Sequence, residues 1–565
     1  MLGLLFIFCA ALLFPTAFAA SSPPRRCRCR LHQACWPSAK EWHSFNASVS
    51  GSLIAVKPVG YVCHDPNFDS SICEQLMTSM NNSTWRSSQP GAVQWYNWES
   101  RPKTNESCEI GESREIPCRQ GKISLYSLIA DSEDQIRRAV RFAQKRNIRL
   151  DVVFAENFVP HGSPDDQEGQ GPAVTIGAGV QLAELYKEVG TKGQMVVAGY
   201  AHGVGAAGGY VQGGGHSILG PWKGMASDNV LQFRVITACG EIVVANEYKN
   251  QDLFWALRGG GGGTFGIVID VTLRTFPDVP IAMARINVRR DVPDETYWGT
   301  VNSALRFLPA ISGHGRSGSF TGTPMAPASD GSSTTADLFM QFIFVNETST
   351  KKVKRLLAPL THDLSKISAT AIEANITTHD TISRFYASVL GSHDFTGAGN
   401  FLLPRLISRR FLESHRGPDK LSDAITRLGY NNSDTFSVNF VAGGQVARNG
   451  AVIKSALNPA WREALIHLIL LRGWHGHKSF REQKESQDIT YRQEPILKSL
   501  EPGRMGVYLN EANSQEQNFQ QEFWGKNYLR LYAIKKRYDP YDLFITRLGV
   551  GSENWDDEGL CKISR

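Results

Sequence analysis

The chain has 565 residues, which a prior of roughly 150 residues per domain divides into two to four domains. With 42% hydrophobic and 20% charged residues it has ample material for a core. Its net charge of +6 is too dilute, with no Lys/Arg-dense helix or tail, to suit a nucleic acid, and no stretch after residue 20 is long and apolar enough to span a bilayer.

Residues 1–20, MLGLLFIFCAALLFPTAFAA, carry no charge and contain Ala17-Phe18-Ala19, a small-residue cleavage pattern. Residues 1–19 therefore read as a secretory signal peptide. Residues 20–117 are polar and expected to be loop-rich, and they hold Cys27, Cys29, Cys35, Cys63, Cys73, Cys108 and Cys118; Cys239 and Cys561 follow. In a secreted chain such a cluster reads as disulfides, and the odd number leaves one thiol free. Sequons at Asn46, Asn81, Asn82, Asn105, Asn346, Asn375 and Asn431 offer glycosylation sites.

From residue 118 the composition changes. Ile123 to Leu128 alternates like a strand, and Ser132 with Gln135 forms a capping box that opens a helix. Ile136, Ala139, Val140 and Ala143 share its apolar face. A second helix carries Leu182, Leu185, Tyr186 and Val189 and stops at Gly190. Residues 199–217 then read GYAHGVGAAGGYVQGGGHS. Gly203 to Gly208 matches the dinucleotide pattern G-x-G-x-x-G, with Asp228 beyond it, but that site needs a helix to begin inside it. Each interior Gly costs a helix about 1 kcal/mol, so no helix is expected there and the dinucleotide reading falls.

Leu231, Phe233, Val235 and Thr237 alternate, Cys239-Gly240 turns, and Ile242 to Ala245 returns as a hairpin. Residues 258–274, RGGGGGTFGIVIDVTLR, give a second glycine run followed by a strand. Backbone without Cβ approaches a flat or phosphorylated ligand closely and presents N–H groups to it. Two such runs suggest an extended cofactor laid across both; two surface loops are the alternative. Residues 280–500 hold alternating segments such as Leu338 to Phe344, and a last helix from Asn527 to Tyr538 ends at Asp539-Pro540. No G-x-S-x-G, Walker A or H-E-x-x-H motif occurs, and His475-x-His477 lacks partners, so no metal set is expected.

These motifs resemble the berberine bridge enzyme-like branch of the FAD-linked oxidoreductases, in its fungal secreted form with a vanillyl-alcohol-oxidase, PCMH-type FAD domain. The resemblance covers nearly the whole mature chain. It rests on Cys118-Arg119-Gln120-Gly121, the run from Gly199 to Ser217, Asp228-Asn229-Val230-Leu231, and Asp252 to Arg258. Gly259 to Val268, Asn527-Tyr528 and Lys535 to Pro540 complete it.

The resemblance implies an α+β fold with an FAD domain in two parts, residues 118–279 and a closing module at 501–565. Between them, residues 280–500 would form a substrate domain with an antiparallel sheet and helices. It implies FAD contacts at Gly199, Gly205, Gly208, Gly209, Gly213, Gly214, Gly215, Gly266, Val268, Asn527 and Tyr528. His216 either sits over the cofactor or is an interior histidine. The Tyr508-Leu509-Asn510-Glu511 segment would line the pocket as a strand with Tyr508 and Asn510 on one side. Tyr508 is then a candidate acid/base if a positive charge or donor adjoins it, and a packed core tyrosine otherwise.

The implied reaction is oxidation of an alcohol or activated C–H centre of a small molecule in secondary metabolism, with O2 as electron acceptor. Two departures matter. Ala201 stands where many relatives have the Cys that links the flavin. The family's Gly-His loop for pyrophosphate is absent, because Arg149-Leu150-Asp151 runs straight into Val152. FAD is therefore expected to bind noncovalently. The alternatives are a non-redox cyclisation catalyst on the same fold and an inert secreted glycoprotein.

Overall fold

Strands covered on both faces belong at the centre of a sheet, and residues 230–236 and 267–274 are such strands, buried along nearly their whole length. In the computed structural model they are the centre of a five-stranded sheet. The structure describes residues 27, 28, 31, 33, 36–101, 104, 106–143, 152–164, 167–313, 315–327, 334–368, 372–389, 393–431, 434–474, 484 and 487–563. The signal segment, Leu150-Asp151, Asn105 and the His475-x-His477 pair lie outside these.

In chain order, helix α1 (Glu133–Ala143) is followed by β1 (Val152–Ala155), β2 (Ala173–Gly177) and α2 (Leu182–Thr191). Then come β3 (Val230–Ile236), β4 (Ile242–Asn246), α3 (Gln251–Leu257) and β5 (Ile267–Arg274). The sheet order is β1-β2-β5-β3-β4, antiparallel throughout, with β3 and β4 forming the expected hairpin. Ser132 Oγ accepts from the Gln135 backbone N–H as the capping pattern predicts, and Ile136 and Val140 are buried under α1. Helix α2 buries Leu182, Leu185, Tyr186 and Val189. It runs one residue past Gly190.

The second sheet has seven antiparallel strands: β6 (Ile281–Arg290), β7 (Arg316–Pro327), β8 (Thr334–Val345), β9 (Asn375–His379), β10 (Gly399–Ser408), β11 (Thr435–Asn439) and β12 (Ala464–Trp474). Their order is β9-β6-β8-β7-β11-β12-β10. Leu338, Met340 and Phe342 of β8 point into a core shared with helices α4 (Glu295–Ile311), α5 (Thr350–Ser368) and α6 (Gly417–Arg427). Helix α4 presents Tyr297, Val301, Ala304, Leu305 and Leu308 at helical spacing, and Asp294 accepts from Tyr297 N to cap it.

Two expectations are corrected. Residues 39–48, 70–79 and 83–88 are helices, not loops, because Ser38, Asp69 and Asn82 each cap one with a side-chain oxygen. Ile123 to Ser124 is not strand: only Tyr126–Leu128 pairs, with Leu53–Ala55, while the Gln120 carboxamide holds the carbonyls of Ile123 and Ser124. Every described cysteine is disulfide-bonded, so the free thiol is not among the described residues. Cys27–Cys561 ties the two ends of the chain, with Cys63–Cys73 and Cys108–Cys118 in the lead-in.

The second sheet is fastened to the C-terminal segment by one buried cation. Arg405 of β10, fully buried, makes two 3.0 Å hydrogen bonds to Glu516 and lies 2.9 Å from Glu494. Leu406 N beside it donates to Gly506 O at 2.9 Å. Replacing Arg405 with Met leaves the buried Glu494 and Glu516 with only the partly exposed Lys498 as a cation among the described residues. Arg405→Met is expected to cost about 3–5 kcal/mol in urea unfolding, where a surface Arg→Met change would cost almost nothing.

Candidate functional site

The two glycine runs are one structure. Gly259 and Gly261 donate their backbone N–H groups to the Gln212 carbonyl at 2.9 and 3.0 Å, and a Cβ on Gly262 would lie 3.0 Å from the Cα of Gly209. Helix α7 (Tyr528–Tyr538) closes over the second run: Lys535 donates to Thr264 O at 2.8 Å and pairs with the buried Asp539. Trp524 Nε1 donates to Gly259 O at 3.0 Å. The start of the first run is held by Asp394, which accepts from the backbone of His202 at 2.6 Å and Gly203 at 3.3 Å. Tyr186 of α2 donates to Gly199 O.

Contrary to expectation, a short helical stretch forms at residues 206–212, kinked at Gly208 with ψ −135°. Its glycine cost is offset by burial of Ala206, Ala207 and Val211, and by the amides that Gln212 O receives from the second run. The candidate glycines divide into two groups. At Gly205, Gly208 and Gly209 an added Cβ would meet nothing closer than 3.9 Å, so this backbone borders open space. Gly199, Gly213, Gly214, Gly215 and Gly266 are close-packed, each within 3.0 Å of a neighbour if given a Cβ. Buried polar atoms without partners, His202 Nε2 and Gln212 Oε1, lie in the same run. Open glycine backbone beside unpartnered polar atoms fits a flat, hydrogen-bonding group such as an isoalloxazine. Val268 is a buried β5 residue; Asn527 donates to Leu457 O at 3.0 Å, and Tyr528 donates to Glu553 at 2.6 Å.

Against this frame stands a cluster of titratable groups. His216 Nε2 is 2.9 Å from Glu511 Oε1, and His467 Nδ1 of β12 is 3.6 Å from Glu511 Oε2. Burial opposes the Glu511 charge, but the imidazoles of His216 and His467 prevail and hold its carboxyl down at about 2. His467 is fully buried, and burial pushes it down to about 4, so it is neutral near pH 7. Neither of its ring nitrogens has a hydrogen-bond partner.

Residues 509–511 form a 3₁₀ turn, not a strand, yet the turn still brings Asn510 Nδ2 to 2.7 Å from the Tyr508 hydroxyl. The same Nδ2 donates to Gly209 O at 2.9 Å, which joins the cluster to the glycine frame. Burial, reinforced by the Glu511 carboxylate, pushes the Tyr508 hydroxyl well above its usual range. Tyr508 thus has the neighbouring donor that a base needs, without the positive charge, and it stays protonated.

The ligand atoms of His216, His467 and Glu511 lie within 4.8 Å of one another, a His2Glu donor set that sequence spacing does not reveal. A divalent ion there would have to displace the His216–Glu511 hydrogen bond. In the sequence Glu511 is only the last residue of a motif that stands out for its tyrosine, and His467 sits in an otherwise apolar strand that gives no signal.

The chain is similar to known FAD-linked proteins in sequence and fold. Residues 507–551 match the family model described as berberine and berberine like, and residues 165–246 match an FAD binding domain. An FAD-linked oxidoreductase of Arthroderma benhamiae is 44% identical over 584 residues, covering 98% of each chain. That alignment is longer than this chain, so part of the relative has no counterpart here. The FAD-linked oxidoreductase malF of Malbranchea aurantiaca is 38% identical, over 95% of this chain and 94% of that one. A crystal structure of the VAO-type flavoprotein MtVAO615 from Myceliophthora thermophila covers 95% of this chain and 100% of its own, with 28% identity and a TM-score of 0.81.

The low Glu511 value has a measurable consequence. A folded-state value of about 2, below the unfolded one of about 4.3, stabilises the fold above pH 4.3 and is lost as pH falls towards 2. Wild type should therefore lose on the order of 2–3 kcal/mol more than Glu511→Gln across that window in acid unfolding. Parallel curves for the two proteins would remove the His216–Glu511 pairing from the account.

Proposed function

This chain belongs to the berberine bridge enzyme-like, VAO-type FAD-linked oxidoreductases, and from that premise we propose that it oxidises an alcohol or activated C–H centre of a small secondary metabolite, with O2 as electron acceptor. The supporting observation is Asn510, whose one amide group touches both the glycine frame and the His216–Glu511–Tyr508 cluster. When bound, FAD supplies the two-electron acceptor.

The chain's own groups do the rest. His216 donates through Nε2 to Glu511, which leaves Nδ1 free to take a proton from the substrate. Glu511, ionised above about pH 2, fixes the imidazole and stabilises the cation that forms. Tyr508, kept protonated by burial and receiving a hydrogen bond from Asn510, keeps its proton and would offer its O–H as a hydrogen bond that orients the substrate oxygen. His467, neutral and packed 5.4 Å from His216 ring to ring, closes the cluster against water without adding charge. Gly205, Gly208 and Gly209 would carry the flat end of the cofactor, and Ala201 leaves no thiol for a covalent link.

The same reading keeps residues 118–279 and 501–565 as the cofactor-holding parts and 280–500 as the cover that shapes the substrate pocket. It assigns the protein to the secretory pathway, in keeping with three disulfides and exposed sequons at Asn346, Asn375 and Asn431.

The test is oxygen consumption and peroxide formation with a panel of aromatic and allylic alcohols. Turnover with one peroxide per substrate is the expected result, with His216→Ala lowering kcat/KM by 10²–10⁴-fold and Tyr508→Phe by about tenfold. Product without oxygen uptake would turn the assignment to a non-redox cyclisation, and no turnover at all to an inert glycoprotein. A His216→Ala enzyme as active as wild type would place the base elsewhere.

A further inference from the structure

A cavity of about 740 Å³ lies between the Arg274 end of β5, the start of β3 and the end of α3, where Arg258 adjoins Gly259 of the glycine frame. None of the glycines, nor His216, Tyr508 or Glu511, lines it. Arg274 in its wall and Val268 at the glycine end are both on β5, about 20 Å apart along the strand. The cavity shares no lining residue with the proposed redox centre, and a ligand could occupy it whether or not the redox assignment holds.

Five cations line the cavity: Lys223, Arg258, Arg274, Lys454 and Arg530. Two acids face them. Asp228 is already committed, with its oxygens 2.7 and 2.8 Å from Arg462 and a further bond from Asn449. Glu247 is exposed. Among the described residues none of the five cations has a carboxylate within ion-pairing distance. Three of them rest on aromatic rings: Lys223 lies 4.4 Å from the centroids of both Trp222 and Phe276, Arg258 4.0 Å from Phe254, and Arg530 4.0 Å from Trp255.

Arg258 is the most constrained. It is 8% exposed; one arm donates to Lys454 O at 2.7 Å, and its Nε is buried with no partner. Burial pushes its guanidinium down to about 10 and lowers Lys223 and Arg274 as well. Asp228 and Glu247 offset this charge only from a distance, and an oxyanion at hydrogen-bond distance from the unused N–H would offset it directly.

We propose that this cavity binds a small organic oxyanion, a phosphate or carboxylate ester or acid, with its charged head at Arg258, Lys223 and Arg274. The volume exceeds that of a bare ion and falls in the range of small-molecule sites, so the ligand carries an organic body as well. Trp222, Phe254, Trp255 and Phe276 give that body apolar walls. Lys454 and Arg530, both exposed, stand at the rim and steer the anion in.

The experiment is isothermal titration of the full chain with phenyl phosphate, benzoate and uncharged phenol at low salt. Saturable heat with either anion and none with phenol is expected, and the tighter of the two anions says whether phosphate or carboxylate is the natural head. Arg530→Ala and Lys223→Met remove cations that have no carboxylate partner among the described residues and should each weaken binding by about tenfold. Arg258→Met should abolish it. Affinity unchanged in both Arg530→Ala and Lys223→Met would overturn the proposal, as would no saturable heat with either anion at millimolar concentration.

Discussion

The site depends on the absence of one Cβ. A side chain on Gly213 would sit 2.5 Å from Asn510 Nδ2, and without it the Asn510 amide reaches the Gly209 carbonyl at 2.9 Å. That contact joins residues roughly 300 positions apart, and the reactive cluster is assembled on either side of it. One step before Asn510 in the turn is Leu509 and then Tyr508; one step after is Glu511, which meets His216 at the end of the glycine run. The glycines are thus spent less on flexibility than on letting three backbone segments approach closely.

Several further ties hold that contact in register. Lys535 and Trp524 bind the second glycine run from the C-terminal side, and Gln212 joins the two runs. Arg405 carries the second sheet onto the segment that follows the cluster, through Glu516. His467 reaches Glu511 from that same sheet, so the cluster contains one group from each of three parts of the chain. Buried charge runs through the Lys535 and Arg405 ties, and each of these is costly if one partner is removed. Such stiffness suits a site whose work is to orient a cofactor and a substrate rather than to close around them.

Much of the first sheet was legible. The β3–β4 hairpin, the Ser132 cap and the apolar face of α2 follow from period and capping residues, because local physics decides them. The helical stretch at 206–212 was not legible, since its stability comes from Gln212 and the second run, and propensity alone argued against it. The 3₁₀ turn at 509–511 replaced an expected strand for the same reason. Within the site, the family resemblance pointed to the glycines and Tyr508. It did not separate the glycines that border open space from those that are merely packed, which is a matter of what lies opposite each one. Glu511 and His467 escaped because their meaning lies in a pairing across strand and turn that no sequence interval records.

The central claim is that this glycine frame, lacking a linking thiol at Ala201, holds FAD without a covalent bond beside the His216–Glu511 pair. The most direct measurement is the absorbance spectrum of the purified chain before and after acid precipitation. The account predicts flavin bands in the native protein that remain in the supernatant once the protein is precipitated. A colourless protein that added FAD does not restore, or flavin that stays with the pellet, would contradict it.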